Sequence, residues 1–140
     1  MAKFVLTGEG RVGPEWMDEN DHMNMMWYTH VIDNATGALF SKMGLKRHTD
    51  NFSFVAARIS TIHRRELRLG DVWQVWTGLM DAASNQLVFT HKITQHNVIA
   101  AKSEIVVVPF DKTSRASVTL SPDEIAKARA YIIPGLVKQI

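Results

Sequence analysis

The sequence predicts an α+β fold in which one long central helix packs against a curved antiparallel sheet of five strands. Three observations carry this prediction: a long apolar helical stripe near the N-terminus, one strand-like segment before it, and four strand-like segments after it with almost no helical signal between them. A single helix cannot cover both faces of five strands, so a sheet that curves around the helix is the economical arrangement. The other sheet face and the open edges then need a partner.

The bounds of the first two elements are predicted from residues that interrupt a strand or cap a helix. A strand is expected over residues 3–13, where Pro14 interrupts it. The central helix is expected over residues 25–43, because Asn24 is a good N-cap and Gly44 supplies a stop signal. Its buried face is predicted from apolar residues at steps of three and four, namely Met25, Tyr28, Ile32, Ala35, Leu39 and Met43.

The rest of the chain predicts strands and one short helix. Strands are expected over residues 53–66, 72–81, 86–96 and 98–108, joined by turns at 70–71 and 82–85. A terminal helix begins after Ser121, with a proline and acidic residues in its first turn, and Pro134-Gly135 is expected to end it. Residues 1–140 are therefore interpreted as a single domain.

Composition excludes several classes of function. The net charge is +2, from 16 basic and 14 acidic residues, which is too balanced to indicate a nucleic-acid partner. There is no cysteine, and the six histidines lack metal-ligand spacing, so neither a metal nor another cofactor is expected. We also find no apolar run long enough for a signal peptide or a membrane span, and we expect a cytoplasmic protein without a membrane partner.

The segment from Arg11 to Tyr28 concentrates reactive side chains just before the helix N-terminus: four carboxylates, a histidine, two asparagines and three aromatics. Unpaired N–H groups at a helix start, here near Met25, can bind a carbonyl oxygen that becomes negative during attack. With Asp18 as nucleophile or general base, this is a minimum set for thioester hydrolysis. From the chemistry alone, helix capping is the commoner role of such acids, and His22 is more often a surface histidine.

A resemblance favours the catalytic alternative. Asp18 stands ten residues before Tyr28, and the residues Asp18, Asn20, His22, Met23 and Asn24 match the pattern Asp-x-Asn-Gly-His-Met-Asn. This segment resembles the active-site signature of hot-dog fold thioesterases related to 4-hydroxybenzoyl-CoA thioesterase. The Glu66-Leu67-x-x-Gly70-Asp71 run is similar to the family's usual turn after the second strand. The chain departs from the pattern at Asp21, where the family usually has glycine.

The resemblance implies a hot-dog acyl-CoA thioesterase that works as a homodimer or homotetramer, with the site at a subunit interface. It implies that Asp18 attacks or activates water, that His22 and Asn24 support it, and that the N–H groups near Met25 hold the thioester oxygen. The phosphates of coenzyme A would lie on basic side chains of the second strand and the turn after it; the candidates are Arg58, Arg64, Arg65 and Arg68.

The acyl group is expected to contact apolar and aromatic residues around the helix start. Candidate binding residues are Trp16, Met23, Trp27 and Tyr28, although methionines and aromatics more often fill a core or an interface. The Pro14-Glu15-Trp16 lead-in is similar to thioesterases that act on betainyl-CoA, whose cationic acyl group would suit an aromatic box. Trp73 and Trp76 are expected on opposite sides of one strand.

Two other functions stay open at this point. A non-catalytic hot-dog protein that binds acyl-CoA would need no working Asp18. A thioesterase that acts on acyl carrier protein would use the same residues on another carrier. A hot-dog dehydratase is the third class considered, but its histidine-centred motif is absent from the sequence.

Overall fold

The computed structural model describes residues 3–136 and contains five strands and two α-helices within them. The elements in chain order are β1 (Val5–Arg11), a 3₁₀ turn (Pro14–Trp16), α1 (Met25–Met43), β2 (Phe52–His63), β3 (Val72–Ala83), β4 (Gln86–Gln95), β5 (Val98–Asp111) and α2 (Pro122–Arg129). All strand pairs are antiparallel, in the order β1-β3-β4-β5-β2. The α+β architecture predicted from the sequence is therefore confirmed.

Helix α1 has the bounds that its caps predict. The Asn24 side chain accepts the Met26 N–H, and Gly44 ends the helix in the left-handed conformation with φ 76°. The side chains buried against the sheet recur at steps of three and four along the helix: Tyr28, Val31, Ile32, Ala35, Thr36, Leu39, Phe40 and Met43. The prediction that Met25 belongs to this buried face is wrong, because its side chain is 72% exposed at the rim of an open cleft.

The terminal helix is shorter than predicted. It ends at Arg129, five residues before Pro134-Gly135, and the chain then turns and forms an isolated bridge between Ile132 and Leu79 of β3. There the Leu79 N–H donates to Tyr131 O at 3.0 Å, and Leu79 O accepts the Ile133 N–H at 2.8 Å. Strand β1 covers β3 only as far as Thr77, so Leu79 lies on an open edge whose backbone groups need partners. The residues after the helix therefore form backbone hydrogen bonds with the open edge of β3 and do not continue the helix.

A buried polar chain joins α1 to the sheet. The His91 ring lies between two hydroxyls, with Nε2 3.0 Å from Thr36 Oγ1 and Nδ1 2.9 Å from Thr77 Oγ1. Burial lowers the pKa of His91 to about 3, so this ring is neutral at physiological pH. Each ring nitrogen has a polar neighbour, which offsets the cost of placing an imidazole in the core. Within residues 3–136, neither helix is long and apolar enough to cross a membrane.

Candidate active site

Residues 18–22 form a tight loop directly before α1. The loop is closed by backbone hydrogen bonds from Asp18 N–H to His22 O (3.2 Å) and from Asp21 N–H to Asp18 O (3.1 Å). Asp21, at the family's usual glycine position, has φ 62°, which lies in the left-handed region that glycine adopts most easily. Aspartate is one of the few other residues that visit this region, so the loop turns as the motif requires despite the substitution.

Three contacts anchor this loop to the rest of the fold. The Met23 N–H donates to Leu67 O at 2.7 Å, and the Asn24 N–H donates to Trp16 O at 2.9 Å. The Tyr28 hydroxyl accepts the Leu67 N–H at 3.2 Å, and burial raises the pKa of this phenol above its usual value. The turn after β2 therefore bonds, through Leu67, both to the end of the motif segment and to α1.

The Asp18 carboxylate is held by two hydrogen bonds. Its Oδ1 accepts the Asn20 N–H at 2.9 Å, and its Oδ2 accepts the Asn24 side-chain amide at 3.0 Å. These bonds, led by the one from the Asn20 backbone, hold the pKa of Asp18 below its usual value, with a smaller contribution from the charge of His22. Asp18 is consequently ionised and oriented at neutral pH.

The helix start beside it offers an unused donor. Asn24 Oδ1 accepts the Met26 N–H at 2.9 Å, and Asn24 O accepts the Trp27 N–H at 3.0 Å. Within residues 3–136, no hydrogen bond uses the Met25 N–H. A free N–H at the positive end of a 19-residue helix can stabilise a developing negative charge.

An open cleft of about 660 Å³ lies between the start of α1 and the end of β2. The helix side of its wall consists of His22, Met23, Met25, Tyr28 and Thr29. The strand side consists of Ile59, Thr61, His63, Arg64, Arg65 and Glu66. Asp18 is not part of this wall, although His22 of the same loop is. The second cavity, about 440 Å³, lies across the sheet beside Lys92 and Lys102 and contains none of the predicted site residues.

The structure brings some of the predicted residues to the cleft and leaves others away from it. His22, Met23, Tyr28, Arg64 and Arg65 line it together with the exposed Met25. His22 Nδ1 lies 3.0 Å from Met23 O, and because a carbonyl oxygen can only accept, Nδ1 donates in this hydrogen bond.

The other two arginines lie elsewhere. Arg68 pairs with Glu66 at 3.1 Å on the surface and is not part of the cleft wall. Arg58 precedes Ile59, which faces the cleft, so its side chain projects from the opposite face of β2. The single chain therefore offers two of the four predicted arginines to a ligand in the cleft.

The tryptophans form a separate cluster. Trp16 stacks on Trp27 with ring centroids 4.9 Å apart and on Trp73 at 6.0 Å, and the His30 ring meets both Trp16 and Trp27 edge-on. None of the three lines the cleft of the single chain. Trp76 projects from the opposite side of β3 to Trp73 and donates its indole N–H to Thr94 Oγ1, as the strand period predicts.

Four residues of the cleft wall escaped the sequence analysis: Thr29, Ile59, Thr61 and His63. The last three lie on one strand at intervals of two, directly before the Glu66-Leu67 turn. A period-two pattern leading into a recognised turn could have identified them. Their proximity to the helix start depends on the sheet's curvature, which no local pattern contains.

A sequence model of the thioesterase-like superfamily matches residues 12–129. The chain belongs to this superfamily. The match includes the Asp18 loop, α1 and the cleft strand β2, and it extends through α2. A search of curated proteins returned no match.

Solved structures share the fold over nearly the whole chain. YbaW of Escherichia coli, a probable thioesterase, is 18% identical, with a TM-score of 0.76 over 92% of this chain and 100% of its own. A 1,4-dihydroxy-2-naphthoyl-CoA thioesterase of Synechocystis is 15% identical, with a TM-score of 0.77 over 89% and 95%. A hypothetical protein of Staphylococcus aureus, solved in complex with CoA, is 17% identical, with a TM-score of 0.78 over 99% and 92%. The hot-dog fold implied by the resemblance is thus confirmed.

Proposed function

We propose that this member of the thioesterase-like superfamily is an acyl-CoA thioesterase, which hydrolyses a thioester to a carboxylic acid and coenzyme A. The observation that carries the proposal is the Asn24 side chain, which bonds Asp18 Oδ2 through its amide and caps α1 through its oxygen. An ionised carboxylate is thereby held beside a helix start with an unused N–H. A base or nucleophile next to an oxyanion donor is what acyl transfer to water requires.

The reaction follows from the roles of these groups. The attacking oxygen comes either from a water molecule that Asp18 deprotonates or from the Asp18 carboxylate, which then adds to the carbonyl itself. The carbonyl oxygen becomes negative and is stabilised by the Met25 N–H. The carbon–sulfur bond then breaks, and the coenzyme leaves as a thiolate that takes a proton from solvent. If Asp18 attacks directly, water then cleaves the resulting anhydride, which releases the acid and restores the Asp18 carboxylate; attack of this water on the Asp18 carbonyl carbon would leave one Asp18 oxygen in the product.

We place the coenzyme A part of the substrate at the end of the cleft that Arg64 and Arg65 line. Arg64 and Arg65 follow His63 directly, are exposed, and lie on the cleft wall. Free guanidinium groups suit the pyrophosphate and 3′-phosphate of coenzyme A. The structural neighbour solved with CoA supports this choice of carrier. The positions of Arg58 and Arg68 give their predicted roles less support.

A neutral acyl group suits the cleft better than a betainyl group. Attraction between a cation and aromatic rings requires free ring faces. One face of Trp16 covers one face of Trp27, Trp16 also stacks on Trp73, and neither Trp16 nor Trp27 lines the cleft of the single chain. The cleft wall also carries two arginines against one carboxylate, Glu66, which already pairs with Arg68, so the charge of the wall repels a cation.

We further propose that the working protein is a homodimer or a tetramer located in the cytoplasm. The cleft opens along β2, an outer strand of the sheet, and apolar side chains are exposed around it: Met25, Met26, Val55 and Ile59. Exposed apolar groups that flank a site favour its completion by a second copy. Light scattering should show a dimer or larger; an active monomer at assay concentration would contradict the shared site.

The function is tested by screening the purified protein against a panel of acyl-CoA esters with a thiol-trapping dye. The proposal predicts release of coenzyme A from at least one ester at a rate proportional to enzyme. Tight binding of the esters without turnover of any would instead indicate the non-catalytic acyl-CoA-binding protein. Parallel assays with acyl carrier protein and pantetheine thioesters identify the carrier.

A further inference from the structure

His63 is held facing the cleft by the way β2 ends. Ile59, Thr61 and His63 alternate along one face of this strand, and His63 is the last residue before the chain turns away. The next two backbone N–H groups both donate to Ala100 O, at 2.8 and 3.1 Å, which closes the strand against β5. The direction of the His63 side chain is therefore set by the sheet.

The His63 ring lies against the first turns of α1. It meets the Tyr28 ring edge-on, with centroids 4.7 Å apart and an angle of 85° between the planes. Tyr28 lies three residues after Met25, which is just under one helical turn, or ~5 Å along the axis. Met25, Tyr28 and His63 line the same cleft, so an acyl chain whose carbonyl lies at the Met25 N–H can extend along this wall toward His63.

The imidazole has unused hydrogen-bonding capacity. Within residues 3–136, neither ring nitrogen of His63 forms a hydrogen bond, whereas His91 has both of its nitrogens engaged. His63 keeps an exposed surface, but neighbouring groups partly desolvate the ring and lower its pKa, so at neutral pH it offers one N–H donor and one bare acceptor. The neighbouring wall is otherwise mixed, with apolar Met25 and Ile59 beside the hydroxyl of Thr29.

We propose that His63 is a specificity-determining residue that binds a hydroxyl or keto oxygen on a short acyl chain, so that the protein prefers hydroxyacyl-CoA to the unsubstituted ester. This inference rests on the proposed function. A plain alkyl chain packed against His63 would displace water from both nitrogens and return no hydrogen bond. A site whose polar groups are left without a hydrogen bond by the unsubstituted ester discriminates against that ester.

The test compares 3-hydroxybutanoyl-CoA with butanoyl-CoA, which have the same chain length. We expect the wild-type kcat/KM to be higher for the hydroxylated ester. His63→Phe keeps the edge contact with Tyr28 and removes both nitrogens, and it should lower the ratio of the two constants about five- to tenfold, the usual contribution of one hydrogen bond. His30→Phe is the matched control, because His30 also meets aromatic rings edge-on but lies outside the cleft. It should leave the ratio unchanged.

A structural role for His63 makes a different prediction. The inference is overturned if His63→Phe lowers kcat/KM equally for 3-hydroxybutanoyl-CoA and butanoyl-CoA, or if the wild type shows no preference between these esters. His63→Gln keeps a donor and an acceptor without the ring, so it should retain most of the preference even if it loses stability. Loss of the ratio in this variant would also count against hydrogen bonding.

Binding separates this inference from the proposed function. The thioethers S-(3-hydroxybutyl)-CoA and S-butyl-CoA cannot be hydrolysed, and their dissociation constants can be measured by titration calorimetry. A preference for the hydroxylated thioether that disappears in His63→Phe would support the inference even if no ester were hydrolysed. Equal binding of both thioethers by the wild type would refute it, whatever the enzyme activity.

Discussion

The side chain of Asn24 connects Asp18 to the start of α1, because its amide lies 3.0 Å from Asp18 Oδ2 while its oxygen accepts the Met26 N–H at 2.9 Å. The carboxylate proposed to act on the thioester and the N–H proposed to stabilise the oxyanion are thus held through one residue. A small change at this position should therefore disturb catalysis more than folding.

Asn24→Ser tests this separation. Serine is also a good N-cap, so we expect the free energy of unfolding to change by less than about 0.5 kcal/mol. The bond to Asp18 is lost, and kcat should fall about tenfold because the carboxylate is no longer oriented. The lost hydrogen bond stabilised the ionised form, so the pKa of Asp18 should rise and the acidic limb of the kcat/KM profile should move to higher pH.

Asn24→Ala is the comparison variant. It removes both the cap and the bond to Asp18, and it should lose about 1 kcal/mol of stability in urea unfolding together with the activity. If Asn24→Ser kept the wild-type rate and pH profile, Asn24 would be a helix cap only.

Asp21→Gly tests the left-handed loop. Asp21 has φ 62°, a conformation that costs most L-residues about 1–2 kcal/mol and glycine almost nothing. We expect urea unfolding of Asp21→Gly to show equal or slightly higher stability, and Asp21→Val to lose about 1–2 kcal/mol. A clear loss of stability in the glycine variant would mean that the Asp21 side chain, and not its backbone, supports the loop.

Arg64→Ala and Arg65→Ala test phosphate binding. Each should raise KM for acyl-CoA about fivefold with little effect on kcat, because the contact is remote from the carbonyl and similar in ground and transition states. Higher salt should act in the same direction. Lys46→Ala removes an equal charge from an exposed position after α1 and is the control. A pantetheine thioester lacks these phosphates. If the arginine variants lose as much activity with this short substrate as with acyl-CoA, the arginines support the fold and do not bind the phosphates.

His91 predicts a dependence of stability on pH. Its pKa is about 3 in the folded state and near its ordinary 6.5 when unfolded. The unfolded chain therefore binds a proton that the folded chain excludes between these values, and stability is lost as pH falls below about 6.5. Between pH 7 and pH 5 the loss should be about 2 kcal/mol. In urea unfolding, His91→Gln should remove this part of the dependence of the unfolding free energy on pH. If the pH dependence is unchanged in this variant, another group causes it.

The parts of the fold that were predicted to the residue are those set by local chemistry. Both ends of α1 follow from Asn24 and Gly44, whose cap interactions involve residues within one turn. The terminal helix was predicted too long, because the segment after Arg129 pairs with Leu79, some fifty residues earlier in the chain. Propensity near Pro134 contains no information about an open strand edge on β3.

In the candidate site, too, the features set by local sequence were predicted and those set by distant contacts were not. The Asp18 loop and its approach to α1 follow from a short motif, and the structure places both Asp18 and Asn24 in one hydrogen-bonded unit. The cleft could not be derived in this way. Its two walls come from segments thirty or more residues apart, and only their packing reveals that His63 faces Tyr28.

The central claim is that the Asp18 carboxylate carries the hydrolysis. Asp18→Asn preserves the size and much of the hydrogen bonding of the side chain but can neither attack nor deprotonate water. With the best ester of the panel, and with folding verified by circular dichroism, the turnover of this variant should fall by about a hundredfold or more. A folded Asp18→Asn protein that turns over at the wild-type rate would contradict the assignment.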